Sequence, residues 1–245
     1  MDSLLRRVTA PLRQRHVTNV VRTVLDDWLP PVVREYRPLN RALASMFFSG
    51  GEFDLDFKDK AFAMTDAEMA ATYARLGTGQ RYRDSDTTPA QMDEIVAGAV
   101  GPRVLEVGCG NGALSARLHE AGFDVTATDV APDTLADAGP GAQGRIRFNS
   151  ASLPNLPFPD GAFDTVVCAH TLEHIPRVQE AAKELMRVCA RKLVVVVPRQ
   201  RWYRYTIDYH IHFFPWAAPL AALFPGLRVS VRRVDGDWLL EGERA

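Results

Sequence analysis

The sequence predicts an α/β fold: a three-layer αβα sandwich on a mostly parallel seven-stranded sheet with a C-terminal antiparallel hairpin, preceded by an N-terminal helical cap. Three observations predict it. From Val104 onward, short β-branched or apolar runs alternate with stretches of helical periodicity, the pattern of a parallel sheet. Val194 to Val197 is continuously apolar, as a strand covered on both faces must be. Near the end of the sequence, Asp235-Gly236 separates two strand-like runs and supplies the residues of a tight hairpin turn.

The elements follow in order. Val17, Val20, Val21, Val24, Leu25 and Trp28 recur at helical spacing over about Leu12 to Trp28, and Pro30-Pro31 ends that pattern. A second helix is expected over Pro38 to Phe48, before the Gly50-Gly51 break. A third runs over about Thr65 to Leu76, where Thr65 can cap and Glu68 stands three residues on. Thr88-Pro89 opens the next helix, expected to end near Gly101-Pro102. Then come a strand at Val104 to Val107, a helix at Ala113 to Ala121, a strand at Asp124 to Asp129 and a short helix at Pro132 to Ala138. Strands at Ile146 to Asn149 and Phe163 to Ala169, a helix at Arg177 to Cys189, and strands at Leu193 to Val197, Leu227 to Val234 and Trp238 to Glu241 complete the chain. Residues 1–85 are thus expected to form a helical cap or lid, and residues 86–245 the main α/β domain, with an insertion at about 199–225.

With 245 residues, 47% of them hydrophobic, the chain can bury one substantial core. A net charge of -1 predicts no polyanionic partner, so nucleic-acid binding is not expected. Residues 1–41 nevertheless hold eight arginines against four acids. Such an arm offers a peripheral contact to an anionic membrane surface, although a helix with a solvated arginine face accounts for it as well. Cys109, Cys168 and Cys189 are too few and too scattered for a disulfide framework or a zinc site. No apolar run approaches the length of a signal peptide or membrane span, so a cytoplasmic location is expected. A homodimer is compatible with the sequence.

Glu106-Val-Gly-Cys-Gly-Asn-Gly112 lies between a strand and a helix. Glycines at 108, 110 and 112 let backbone pass close to a ligand, and the helix start offers free N–H groups to a polar or anionic moiety. Asp129 ends the next strand, where a carboxylate can accept hydrogen bonds from both hydroxyls of a ribose. The spacing is Gly-x-Gly-x-Gly, not the Gly-x-Gly-x-x-Gly of dinucleotide sites.

This segment resembles the first motif of the class I, Rossmann-like S-adenosylmethionine-dependent methyltransferases. Leu156-Pro-Phe-Pro-Asp-Gly-Ala-Phe-Asp164 and His170-Thr-Leu-Glu-His-Ile175 are similar to later segments of that family's small-molecule branch, so the resemblance covers about Val104 to Pro198. It implies S-adenosyl-L-methionine as cofactor. Gly108, Cys109, Gly110, Asn111 and Gly112 would surround the methionine and ribose, Glu106 would help hold the ammonium side, Asp129 would bind the ribose, and Val130 would pack on the adenine. Where the family commonly places an acid for the adenine amino group, this chain has Ser152; its oxygen and the N–H of Leu153 would serve instead. Arg81-Tyr82-Arg83 is similar to a basic-aromatic stretch that closes over the cofactor, which puts Tyr82 and Arg83 among the cofactor residues, though a solvated surface loop is an equal reading.

On the acceptor side, His170 and His174 follow the fourth strand, and Asp208, His210 and His212 follow the fifth. These are the candidate catalytic residues, and His170 is also expected at the cofactor. An imidazole titrates near pH ~6.5 and can take a proton at neutral pH; His174 is equally readable as a structural residue at a helix start. Asp208, His210 and His212 alternate, so on a strand they would share one face. A base and its orienting acid is the more economical reading of that trio, and no metal is expected. Seven aromatics between positions 202 and 216 suit either a pocket for a ring or a core layer. The expected function is O-methylation of a small-molecule acceptor: a sugar, glycolipid or other natural product. The rivals are N- or C-methylation of a small molecule, lipid or quinone, and a non-catalytic cofactor-binding module.

Overall fold

Alternation of apolar side chains along the central strands divides the core into two layers, one on each face of the sheet. In the computed structural model, which describes residues 24, 28–47, 54–65, 67–69, 71–72, 85–130, 146–202, 204–205 and 209–244, seven strands form one sheet. They are β1 (Arg103–Val107), β2 (Asp124–Asp129), β3 (Arg147–Ser150), β4 (Phe163–Ala169), β5 (Cys189–Val197), β6 (Arg228–Val234) and β7 (Asp237–Glu243). Their order is β3-β2-β1-β4-β5-β7-β6. β1 to β5 pair in parallel, and β7 runs antiparallel to both β5 and β6.

β5 shows why its apolar run is unbroken. Leu193, Val195 and Val197 join one buried cluster, with Leu105, Val107, Val166 and Cys168. Val194 and Val196 join the other, with Val104, Val125, Ala127 and Val167. Successive side chains point to opposite faces, and both faces are covered.

The helices are α1 (Pro31–Arg34), α2 (Arg37–Phe47), α3 (Phe57–Ala61), α4 (Pro89–Gly98), α5 (Ala113–Glu120), α6 (Val178–Val188) and α7 (Ala217–Ala221). α6 buries Val178, Ala181, Ala182, Leu185 and Val188, a stripe at helical spacing, against the first cluster. α4 and α5 cover the second through Met92, Ile95, Leu114 and Leu118. α4 starts as its sequence dictates: Thr88 accepts from Gln91 N, Gln91 accepts in return from Thr88 N, and Pro89 stands first. It stops at Gly98, short of the expected Gly101-Pro102, because Val100 N donates to Thr165 Oγ1 (2.8 Å) and draws the chain onto β4. β5 is longer than Leu193 to Val197, since the chain passes from α6 into pairing at Cys189 without a loop. Asp235 and Gly236 take positive φ (50° and 90°), the conformation of a hairpin turn whose twist matches its strands.

A third cluster lies apart from the sheet. Phe57, Ala61 and Met69 pack on Tyr209 and Ile211, with Phe57 and Tyr209 edge to face at 4.7 Å. Most of the helix expected at Leu12 to Trp28, the helix at Pro132 to Ala138, and the end of the Thr65 to Leu76 helix lie outside the described residues. No described helix is long and apolar enough to cross a membrane.

Candidate functional site

The glycine loop sits where β1 has β2 on one side and β4 on the other, the switch point at which parallel sheets open a crevice. Gly108 N and Cys109 N both donate to Thr128 O (2.8 and 3.0 Å), lashing the loop to the end of β2. The glycines have different reasons to be there. Gly108 (φ 75°) lies against Thr171, whose side chain occupies the place of a Cβ, whereas at Gly110 (φ 52°) a Cβ would meet nothing within 4 Å. Gly110 therefore opens onto space that a ligand can fill. Gly112 (φ 78°) is the N-cap of α5, and Asn111 Oδ1 accepts from Ala113 N (3.2 Å) at the same helix start. Cys109 is turned into the core, where burial, and then the nearby Glu106 and Asp129, push its thiol pKa far up. Its contribution to the loop is backbone.

Asp129 Oδ2 accepts from Gly110 N (2.9 Å), so the carboxylate at the end of β2 and the open glycine are one unit. Val130 follows, half-buried. Ala151 N donates to Asp129 O (3.0 Å), which brings Ser152 and Leu153 alongside. Ser152 Oγ donates to Leu153 O (3.0 Å) and keeps its lone pairs, while the Leu153 side chain is buried in the core. Glu106 is buried and paired with Ser115 Oγ. Burial, followed by repulsion from Asp129, raises its pKa to about 8 against the pull of Ser115, so it holds a proton at neutral pH.

Beyond β4, a short helical turn at Leu172–His174 carries the second group. Glu173 is 1% exposed, and among the described residues neither of its carboxylate oxygens has a hydrogen-bond partner. His170 Nδ1 stands 3.6 Å from Glu173 Oε1, and His170 Nε2 is 3.3 Å from Gln91 Oε1 and 3.8 Å from Asp237 Oδ2. His170 itself takes a positive φ of 52°, its N–H held by Val196 O (2.8 Å). Burial would raise the pKa of Glu173, but His170 and the charges of His174 and His210 prevail and lower it. Ile211 N and His212 N both donate to the Glu173 carbonyl (2.9 and 3.0 Å), which stitches the 209–212 segment to this turn across 38 positions of sequence. His174 and His210 consequently meet with ring centroids 4.8 Å apart. His210 Nδ1 is 2.7 Å from Gln200 Oε1, and His174 Nδ1 is 3.3 Å from Tyr209 O. His212 points elsewhere, to Pro176 O (3.3 Å), and burial lowers its pKa, leaving it neutral at pH 7. The structure thus brings His170, His174 and His210 together around Glu173 and sets His212 beside them; Tyr82, Arg83 and Asp208 lie outside the described residues.

Residues 105–196 match a family model described as a methyltransferase domain. Residues 105–196 thus carry a methyltransferase domain, on the fold of solved S-adenosylmethionine-dependent methyltransferases. An uncharacterized protein of Mycobacterium tuberculosis is 34% identical over 135 residues, 52% of this chain and 49% of that protein. A ubiquinone biosynthesis O-methyltransferase of Xanthomonas oryzae pv. oryzae is 35% identical over 111 residues, 43% of this chain and 45% of the relative. The chain spans about half the length of these curated relatives. A solved SAM-dependent methyltransferase from Aquifex aeolicus superposes with a TM-score of 0.52 at 18% identity, covering 74% of this chain and 100% of that one. One from Thermotoga maritima gives 0.52 at 15% identity, covering 64% and 88%. At these identities the solved structures establish the fold.

The cofactor of such a methyltransferase domain is S-adenosylmethionine, and the residues fit it: the open side of Gly110, the carboxylate of Asp129 bonded to it, and the start of α5 lie together at the carboxyl ends of β1 and β2. The methyltransferase domain's Leu156 to Asp160 segment proves to be a strap. Arg187 donates to Leu156 O, Phe158 O and Asp160 Oδ1, and Glu184 accepts from Leu156 N, so α6 holds the segment from both termini of the run. The aromatic stretch divides. Tyr209 and Phe214 are core, while Trp202 (57%) and Trp216 (64%) are exposed. Sequence reasoning missed Gln91, Glu173, Gln200 and Asp237, the polar partners that set the histidines. Glu173 had a visible signal, its place between His170 and His174, whereas Gln91 and Asp237 meet only through the fold (3.0 Å).

Proposed function

We propose that the protein transfers the methyl group of S-adenosylmethionine to an oxygen of a small-molecule acceptor: a sugar, glycolipid or other natural product. The observation that supports it is the gathering of imidazoles His170, His174 and His210 around Glu173, at the carboxyl edge of β4 where the crevice opens. When bound, S-adenosylmethionine supplies a methyl group on a sulfonium, which an oxygen nucleophile takes by in-line displacement as the carbon–sulfur bond breaks. The chain's work is alignment, exclusion of water and removal of the hydroxyl proton. Asp129 grips the ribose, Gly110 and its neighbours pass the methionine part, Glu106 stands behind the ammonium side, and Ser152 with Leu153 N meets the adenine. Tyr82 and Arg83 close over the methionine carboxylate. The proton passes to an imidazole nitrogen of the cluster, His170, His174, His210 or the neutral His212, with Asp208 as orienting acid.

Residues 1–85 serve as a lid in this reading. Support comes from the seam where α3 and Met69 pack on Tyr209 and Ile211, the segment that also bears His210. A second reading, an acceptor from ubiquinone biosynthesis, is favoured by the name of the Xanthomonas relative. Calorimetry with S-adenosylmethionine and S-adenosylhomocysteine, followed by mass spectrometry over an acceptor panel, tests the proposal. Micromolar binding and an O-methylated product are expected. Absence of affinity for either nucleoside overturns it, and binding without product over the panel points to a cofactor-binding module.

A further inference from the structure

Glu173 lies wholly inside the molecule, and among the described residues neither carboxylate oxygen has a hydrogen bond of normal length, the nearest donor being His170 Nδ1 at 3.6 Å from Oε1. A buried carboxylate left in that condition is strongly destabilising unless a cation answers it. One ligand atom each from Glu173, His174 and His210 lies within 4.8 Å of the others. Borderline divalent ions hold nitrogen and oxygen ligands at about 2.0 to 2.2 Å, which spaces those ligands by about 3 to 4 Å.

We infer that Glu173, His174 and His210 form a binding site for a divalent transition cation of the zinc class, a two-histidine, one-carboxylate set that leaves further positions open. The surroundings are those a metal centre requires. A ligating imidazole is held by a hydrogen bond from its other nitrogen, which fixes the tautomer and the ring direction. His210 Nδ1 faces Gln200 Oε1 at 2.7 Å and His174 Nδ1 faces Tyr209 O at 3.3 Å, and donation from each Nδ1–H makes Nε2 the lone-pair nitrogen. Gln200 is itself buried. The ligands are fixed in space by backbone as well: Ile211 N and His212 N bind the Glu173 carbonyl on either side of the link between the two elements. Two imidazoles and a carboxylate suit zinc, manganese or ferrous iron better than calcium or magnesium, which take oxygen ligands. The cation would sit at the carboxyl edge of β4, leaving His170, His212 and Asp208 for the proton.

The test uses the full-length protein without methyl donor or acceptor, so its result is independent of the proposed reaction. After dialysis against a chelator, zinc is titrated by calorimetry and cobalt by visible absorption. A single saturable equivalent is expected, with cobalt ligand-field bands. Glu173→Gln, His174→Ala and His210→Ala should each weaken binding more than about tenfold, Gln200→Ala by about 10- to 100-fold, and the remote His119→Ala should leave the stoichiometry unchanged. Circular dichroism and melting identify folded variants, and His210→Ala carries the test if Glu173→Gln does not fold. No saturable uptake by the wild type, or uptake that survives in the folded ligand variants, overturns the inference.

Discussion

Glu106 is a carboxyl whose proton reports on the crevice. Its folded pKa of about 8 lies above the ordinary 4.5, so the folded state binds a proton that the unfolded chain releases across that interval. Relative to Glu106→Gln, the unliganded protein should lose stability as pH rises from 4.5 to about 8 and stay level above it; thermal melts over that range check the sign. If Glu106 backs the ammonium of the cofactor, binding at pH 7 expels the proton. Calorimetry in buffers of different ionisation enthalpy should then show proton release in the wild type and none in Glu106→Gln. Asp129→Ala removes acceptors for charged-quality hydrogen bonds and should cost about 2 kcal/mol, roughly thirtyfold, in S-adenosylhomocysteine affinity by titration. At this scale the sequence was legible where one residue type has one reason. Gly110 and Asp129 read directly from their places after a strand. Gly108 did not, since its reason is Thr171, 63 positions away and invisible until β4 lies beside β1.

Elements were more legible than their partners. The stripe on α6 and the unbroken run of β5 each announce a buried face, and both are buried as the patterns require. Leu185→Ala should accordingly cost about 2 to 5 kcal/mol in chemical denaturation, because the stripe has no solvent side into which the cavity can relax. The strap at Leu156 to Asp160 was seen in the sequence only as a family-like segment. Its physical cause is a guanidinium on α6 that satisfies two carbonyls and a carboxylate at once. Arg187→Ala should destabilise by about 2 kcal/mol and speed hydrogen exchange at 156–161, while Arg187→Lys, lacking the planar fork, should recover only part. The early end of α4 belongs here too. The chain leaves the helix ahead of Gly101-Pro102 because Thr165, on β4, takes the N–H of Val100.

For the molecule as a whole, the mostly parallel sheet and its antiparallel C-terminal strands followed from the pattern of elements, but the seam between α3 and the 209–211 segment did not, because its two sides are about 150 residues apart and each looks locally like an ordinary amphipathic stretch. Phe57→Ala empties an edge-to-face contact with Tyr209 and should open this seam. Limited proteolysis should then cut within 54–72 faster than in the wild type, with S-adenosylhomocysteine affinity unchanged.

β7 carries one more consequence, for synthesis. It is the last strand in the chain, yet it lies inside the sheet, wedged between β5 and β6. A nascent polypeptide translated through β6 therefore displays the uncovered backbone of β5, β6 has no strand to pair with, and Asp237, the partner of His170, has yet to emerge. Ribosomes deliver about 5 to 20 residues per second. For the moments before residues 237–243 clear the exit tunnel, the crevice is unfinished and the half-made sheet is open to any passing strand, so chaperone capture should peak at that chain length.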